Sequence, residues 1–214
     1  SAIPITRNGL VFYLPLWRPD RTTDSFSSMP PNEAACTVTD ATWSSTGRTF
    51  GGTDDEILCG NGTPLQITGA MTVMVWFKAA SVDADLISKW DGTGNQRAWE
   101  VGIRTATDKF NGSVSPDGTL AARVGATAVA YTVDAWNCGF FVYDETNIYV
   151  EVNGVKGANV AYSSGIFNST TQVRFGTFVA GGWLVGMVGE AAIWNKALTA
   201  AERAHTRSVT LWRY

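Results

Sequence analysis

Glycoside hydrolysis needs an acid and a nucleophile or base flanking one glycosidic bond, which on a β-strand means two carboxylates at alternate residues. The chain carries nineteen Asp and Glu among its 214 residues but no E-x-D-x-x-E. Glu100, Glu151 and Glu190 each stand without a second carboxylate two residues away, while Asp83 and Asp85 have that spacing but fall in a segment read as a loop. The one histidine, His205, lies in a helix-forming terminal stretch and is read as solvated. There is no nucleophile elbow, Gly-rich phosphate loop or His-rich metal motif. These absences lead to the expectation that the chain is not an enzyme.

Binding chemistry has more to draw on. Nine Trp and six Tyr are more than a core of this size needs, and sugar rings stack their C–H faces on aromatic planes while amides and carboxylates bond their hydroxyls. Trp90 and Trp99 flank the turn Asp91-Gly92-Thr93-Gly94-Asn95, and Trp183 follows Gly181-Gly182 at the entry to a late strand. Trp90, Asp91, Asn95, Trp99 and Trp183 are therefore the candidate ligand-binding residues, against the alternative that each Trp fills a loop or an edge of the core. Asp54 and Asp55 form a paired-carboxylate turn that reads either as part of a Ca²⁺ site or as caps for loop N–H groups. No cofactor is required by the sequence, and Ca²⁺ is the one candidate.

The elements that must carry these residues are strands. Asn153-Gly154 is a hairpin signal, because both residues accept the positive φ of a type I′ turn. Ser115-Pro116-Asp117-Gly118 and Asp144 to Asn147 mark two further turns. In MTVMVWFK, Met71, Val73, Val75 and Phe77 share one face, with Thr72, Met74, Trp76 and Lys78 on the other. Both faces carry apolar residues, so this strand is interior, or has an outer face that is covered or used for binding, and Trp76 is read as structural. Alternation from Val188 puts Val188, Ala192 and Trp194 on one face and Gly189, Ala191 and Ile193 on the other. Thr199 and Glu202 have capping-box spacing, which predicts one or two helical turns after that strand. Cys36 opens the predicted strand CTVTDATW and Cys59 closes EILCG, with a turn near Ser44 to Gly47 that would set them opposite one another. A disulfide and two buried thiols both remain open, and Cys138, in NCGFFVY, is read as core.

At this point the chain resembles a known family. GMVGEAAIWNKALTAAE, from Gly186 to Glu202, is similar to the closing strand G-x-I-D-E-V-R-I-W-N-R-A-L-S-x-x-E of laminin G-like jelly rolls in the concanavalin A-like lectin and glucanase group. FGGTDDEI from Phe50, MTVMVWFKA from Met71, LISKWDGTGNQRAWEVGI from Leu86, and the strands around Trp136 and IYVEVNGV resemble the family's preceding strands in order. GLVFYLPL from Gly9 resembles its opening strand. The resemblance implies an all-β, two-sheet antiparallel jelly-roll sandwich with a short C-terminal helix, in one domain covering residues 1–214. Ca²⁺ occurs in members of the family, but Gly51 and Gly189 stand where it has Asp, which weakens the transfer of a metal or ligand site. The fold hosts many activities, so it assigns none by itself.

Composition limits the partners. A net charge of -3 without a polybasic run offers no footprint for nucleic acid, and no apolar run is long enough to span a bilayer. No secretory leader pattern opens the chain, and Ser1 in place of Met reads as a processed or trimmed start, so secretion is permitted. The expectation is a non-catalytic binding module at an extracellular or particle surface whose partner is a glycan. The alternative is a structural or adhesion protein of a surface layer or virion appendage that meets a surface protein.

Overall fold

The computed structural model describes residues 5–105, 108–177 and 182–214. Its first strands are β1 (Leu10–Pro15), β2 (Ser25–Ser27), β3 (Ala35–Thr39), β4 (Thr42–Ser44), β5 (Gly47–Gly51) and β6 (Glu56–Cys59). The middle of the chain forms β7 (Met71–Ala79), β8 (Ala84–Asp91), β9 (Gln96–Arg104), β10 (Lys109–Val114), β11 (Val124–Gly125) and β12 (Val129–Ala130). Then come β13 (Trp136–Tyr143), β14 (Asn147–Val152), β15 (Val155–Lys156), β16 (Val160–Ala161), β17 (Val173–Phe175) and β18 (Val185–Trp194), followed by the helix α1 (Ala200–Thr210).

They assemble into two antiparallel sheets stacked as a jelly-roll sandwich. The first runs β15-β14-β13-β7-β18-β5-β4, with β1 also on β18 and β16 on β14. The second runs β11-β10-β9-β8-β17-β6-β3-β2, with β12 on β10. Turn chemistry accounts for the tight connections. Asn153 and Gly154 both take positive φ, 52° and 90°, which gives the β14–β15 hairpin the twist its strands require. At the β13–β14 turn, Asp144 Oδ1 accepts from the N–H groups of Thr146 and Asn147.

The interior strand β7 shows how the layers are filled. Met71, Val73, Val75 and Phe77 point between the sheets, among Ile57, Leu86, Val101, Phe110 and Phe141. Met74 and Trp76 point outward into a second apolar cluster with Tyr13, Cys138, Phe140, Trp194 and Leu198. That outer face is covered, and α1 with the C-terminal residues forms much of the cover. Thr199 and Glu202 complete the capping box, each side chain accepting from the other's backbone N–H at 3.2 and 2.8 Å. The Arg203 guanidinium pairs with Glu151 at 2.9 Å, and the Trp76 indole N–H donates to Thr210 Oγ1 at 2.8 Å, so the helix is pinned to β14 and β7. Exposed His205 lies on the solvent side.

Two sequence expectations are corrected by register. Along β18, Val188 opposes Phe77 but Glu190 opposes Trp76, so Gly189 is an extra residue in a β-bulge. The bulge reverses the alternation, and Val188 joins Ala191 and Ile193 in the inter-sheet core while Ala192 and Trp194 face outward. Tyr214 fills the space where a side chain at position 189 would stand, its hydroxyl 2.4 Å from an added Cβ, which excludes the family's Asp there. The segment read as one strand from Cys36 is two strands in different sheets, β3 and β4, separated by Asp40 at φ 54°. The turn near Ser44 to Gly47 therefore joins β4 to β5 and not the cysteine strands. Cys36 and Cys59 nonetheless meet, because β3 pairs directly with β6, and they form a disulfide. Cys138 is a buried free thiol.

Candidate functional site

With one outer face closed, the outer face of the second sheet is where polar side chains gather. Cross-strand register aligns Asp85, Gly102 and Asn111 in one row and Ser88, Glu100 and Ser113 in the next. Residues directly opposed on antiparallel strands share a face. Asp85 and Ser88 fall on the same side because the pairing of β8 with β9 slips by one residue between Asp85 and Ile87. Asp85 thus belongs to a strand and is fully buried, where the sequence reading set it in a loop; Asp83 remains outside β8.

Two arginines organise the carboxylates. Arg104 Nη2 lies 3.4 Å from both Asp85 Oδ1 and Glu100 Oε1, and Arg123 Nη2 lies 2.6 Å from Glu100 Oε1. The two carboxylate oxygens, each touching one Arg104 nitrogen, are therefore no more than about 7 Å apart, close enough for their charges to interact. Burial, reinforced by the like charge of Glu100, pushes the Asp85 carboxyl well above the ordinary carboxylate range, with Arg104 pulling the other way. Because the folded chain holds this proton to higher pH than the unfolded one, the Asp85 contribution to stability is fully present below about pH 4. It is lost as pH rises through the folded-state pKa. Asp85→Asn is accordingly expected to leave stability at pH 7 unchanged or raised, and to flatten its decline above pH 4. Urea unfolding at both pH values measures this, and a loss above about 1.5 kcal/mol at pH 7 would mean that an ionised Asp85 is needed there.

Above these rows is a cleft of about 360 Å³. The β8–β9 hairpin contributes Trp90, Gly92 and Arg97, β9 contributes Glu100 and Arg104, and the segment after β10 contributes Leu120 and Arg123, with Asp83 also on the lining. Trp90 and Arg97 are cross-strand partners. Arg97 Nη1 donates to Asn95 Oδ1 at 3.1 Å and to the Gly118 carbonyl at 3.4 Å. Asn95 holds its position with φ 55°, and Asp91 Oδ1 accepts from the Thr93 N–H at 2.7 Å, closing the turn.

The structure separates the sequence candidates. Trp90, 7% exposed, lines the cleft; Asp91 and Asn95 shape the turn beside it. Trp99 is corrected: it is 1% exposed and lies in the inter-sheet core, so it offers no stacking plane. The cause is a second bulge, since Lys89 opposes Trp99 while Trp90 opposes Arg97, leaving Ala98 unpaired and turning the two indoles to opposite faces. Trp183 is half-buried and does not line this cleft; Gly181 beside it lies outside the described residues. Asp55 Oδ2 accepts from the Gly51 N–H at 2.7 Å, which is the capping role, while Asp54 Oδ1 accepts from the Thr53 hydroxyl. Among the described residues no group of three or more acidic, His or Cys side chains is placed to hold a metal. Two carboxylates, each with one oxygen already bonded within the loop, supply fewer than the six to eight oxygen ligands that Ca²⁺ takes.

The sequence reading passed over Arg97, Arg104, Leu120 and Arg123, and set Glu100 aside as solitary. Glu100 and Arg104 carried a signal, being an even number of residues apart on one strand. Arg123 carried none, because it arrives from the segment after β10. Trp212, 74% exposed, is the most open large apolar side chain of the described residues and was also missed.

Comparison with known proteins agrees with this architecture. A laminin G-type family model, described as the concanavalin A-like lectin/glucanases superfamily, matches residues 50–202. No curated protein sequence matches the chain. Among solved structures, the binding domain of botulinum neurotoxin serotype G is similar with a TM-score of 0.74 at 12% identity, over 94% of this chain and 51% of that one. Botulinum neurotoxin type C, from a study of its dependence on two ganglioside molecules for cell entry, gives 0.72 at 12% identity, over 94% and 51%. The sialidase of Trypanosoma rangeli in complex with sialic acid gives 0.68 at 11% identity, over 95% and 33%. The chain thus spans about half the length of the toxin chains, and identities this low show a shared fold alone.

Proposed function

Since the chain belongs to the concanavalin A-like lectin and glucanase superfamily, we propose that it is a non-catalytic binding module that holds a glycan in the cleft over β8 and β9. The observation that carries this reading is the cleft lining itself. Apolar surface from Trp90 and Leu120 stands beside three guanidinium groups and Glu100, a combination that suits sugar C–H faces and sugar hydroxyls together. Catalysis is disfavoured by how the carboxylates are used. Asp85 is fully buried and is not part of the cleft lining, Glu100 is engaged by Arg123 and Arg104, and Asp83 Oδ1 accepts from the Thr105 N–H. The module acts at an extracellular or particle surface, a location supported by the Cys36–Cys59 disulfide, which persists in oxidising surroundings.

A glycan array followed by calorimetric titration tests the proposal. Trp90→Ala is expected to weaken the best ligand by about tenfold or more, equivalent to about 1.4 kcal/mol, with its melting temperature checked in parallel. An array on which no glycan binds would move the assignment to the second reading, a structural or adhesion module that contacts a protein. Exposed Leu211 and Trp212 are the observation that favours that second reading.

A further inference from the structure

We propose that the saccharide bound in this cleft carries a carboxylate, with Arg97 as the residue that reads it. This rests on the glycan reading above and narrows it to acidic sugars.

The inference comes from the charges lining the cleft. Arg104 and Arg123 are paired within the protein, both with Glu100 and Arg104 also with Asp85. Arg97 differs. Its bonded partners are two neutral oxygens, Asn95 Oδ1 and the Gly118 carbonyl, and among the described residues no carboxylate lies within 4.0 Å of it. On a chain of net charge -3, the cleft therefore presents beside an indole a guanidinium without a carboxylate in direct contact, Asp83 on the same lining being bonded to the Thr105 N–H.

The guanidinium is also held in place. Its Nη2 would be 2.9 Å from a Cβ at Gly92, so it lies close against the turn while Asn95 and Gly118 fix Nη1. A donor fork fixed before binding loses little rotamer freedom when an anion arrives. Trp90 lies directly across the strand pair from Arg97, and directly opposed residues have Cβ atoms about 4.5–5.5 Å apart. A pyranose ring against the indole would bring a ring carboxylate to the guanidinium. A neutral sugar would occupy the same place and leave the charge unanswered, and the charge-assisted bond is the stronger one.

Calorimetric titration of the intact chain with matched saccharides is the test. One pair is a hexuronate tetrasaccharide and its carboxyl-reduced form, and a second is sialyllactose and lactose, which separates the two sources of carboxylate. A sulfated form of the reduced tetrasaccharide completes the set. At least one carboxylated member is expected to bind tenfold or more tightly than its neutral counterpart, with the advantage shrinking in high salt. Arg97→Gln is expected to abolish the difference within that pair, and Arg97→Lys to restore part of it. Equal affinity of acidic and neutral members would overturn the carboxylate assignment and leave the glycan reading standing. Tighter binding of the sulfated form than of the uronate would overturn it in favour of a sulfate site. If no saccharide binds, both readings fall.

Discussion

Gly139→Ala and Gly112→Ala are each expected to destabilise the fold by about 3 kcal/mol, because each would force a methyl group into a ring packed between the sheets. Gly139, in β13 of the first sheet, lies under Phe110 of β10 in the second, and Gly112 of β10 lies under Phe141 of β13. An added Cβ would be 2.4 Å from two Phe110 ring carbons at Gly139, and 2.3 Å from Phe141 Cδ2 at Gly112. Neither ring has room to retreat. Both are fully buried, and Phe110 is stacked on Phe77 at a centroid distance of 5.6 Å. Urea unfolding measures the cost, and a loss below about 1 kcal/mol would show that the two sheets can separate locally to absorb a methyl group. Combining Gly139→Ala with Phe110→Leu should recover part of the loss, since residues in contact do not behave additively.

Arg213→Ala is expected to cost about 3–5 kcal/mol, as removal of one partner from a buried ion pair does. Glu190 is fully buried on the outer face of β18, where Arg213 Nη1 donates to it at 2.8 Å and the Tyr13 hydroxyl at 2.5 Å. Arg213 also lies over the Trp17 and Trp212 rings at 4.6 and 4.8 Å. Burial still raises the Glu190 carboxyl above its ordinary range despite these partners. Two consequences follow from that sign. Glu190→Gln should cost far less than Arg213→Ala, because it removes the charge whose burial is only partly offset. The Arg213→Ala deficit should also narrow from pH 8 to pH 5, as the stranded carboxyl takes up a proton that the folded state favours. A deficit equal at both pH values would indicate lost packing around Trp17 and Trp212 in place of a stranded charge.

Much of the architecture is local, and that part was legible in the order of residues. Alternation along Met71 to Lys78 marked an interior strand, Asn153-Gly154 marked a hairpin, and Thr199 with Glu202 marked the start of α1. Each of these depends on backbone angles and hydrogen bonds within a few residues. The resemblance of the closing strand then led to the two-sheet jelly roll, which the structure has.

The site was legible only in part. The sequence pointed to the β8–β9 turn through Trp90, Asp91 and Asn95, and the cleft opens beside that turn. It could not tell which way Trp90 and Trp99 face, or that Val188 and Ala191 share a side of β18. Both answers depend on bulges, where one strand carries a residue its partner does not match. A single unmatched residue reverses every face assignment beyond it, because side chains alternate with a period of two. The grouping of Asp85, Glu100, Arg104 and Arg123 around shared ion pairs was equally out of reach. By itself, the sequence determined the tight turns, the all-β character and several strands, consequences of short-range stereochemistry and apolar patterning, while the kind of sandwich followed from the resemblance of its strands to a family. Only the tertiary structure decided which side chains share a face and which charges remain unpaired, because cross-strand register is set jointly by segments distant along the chain.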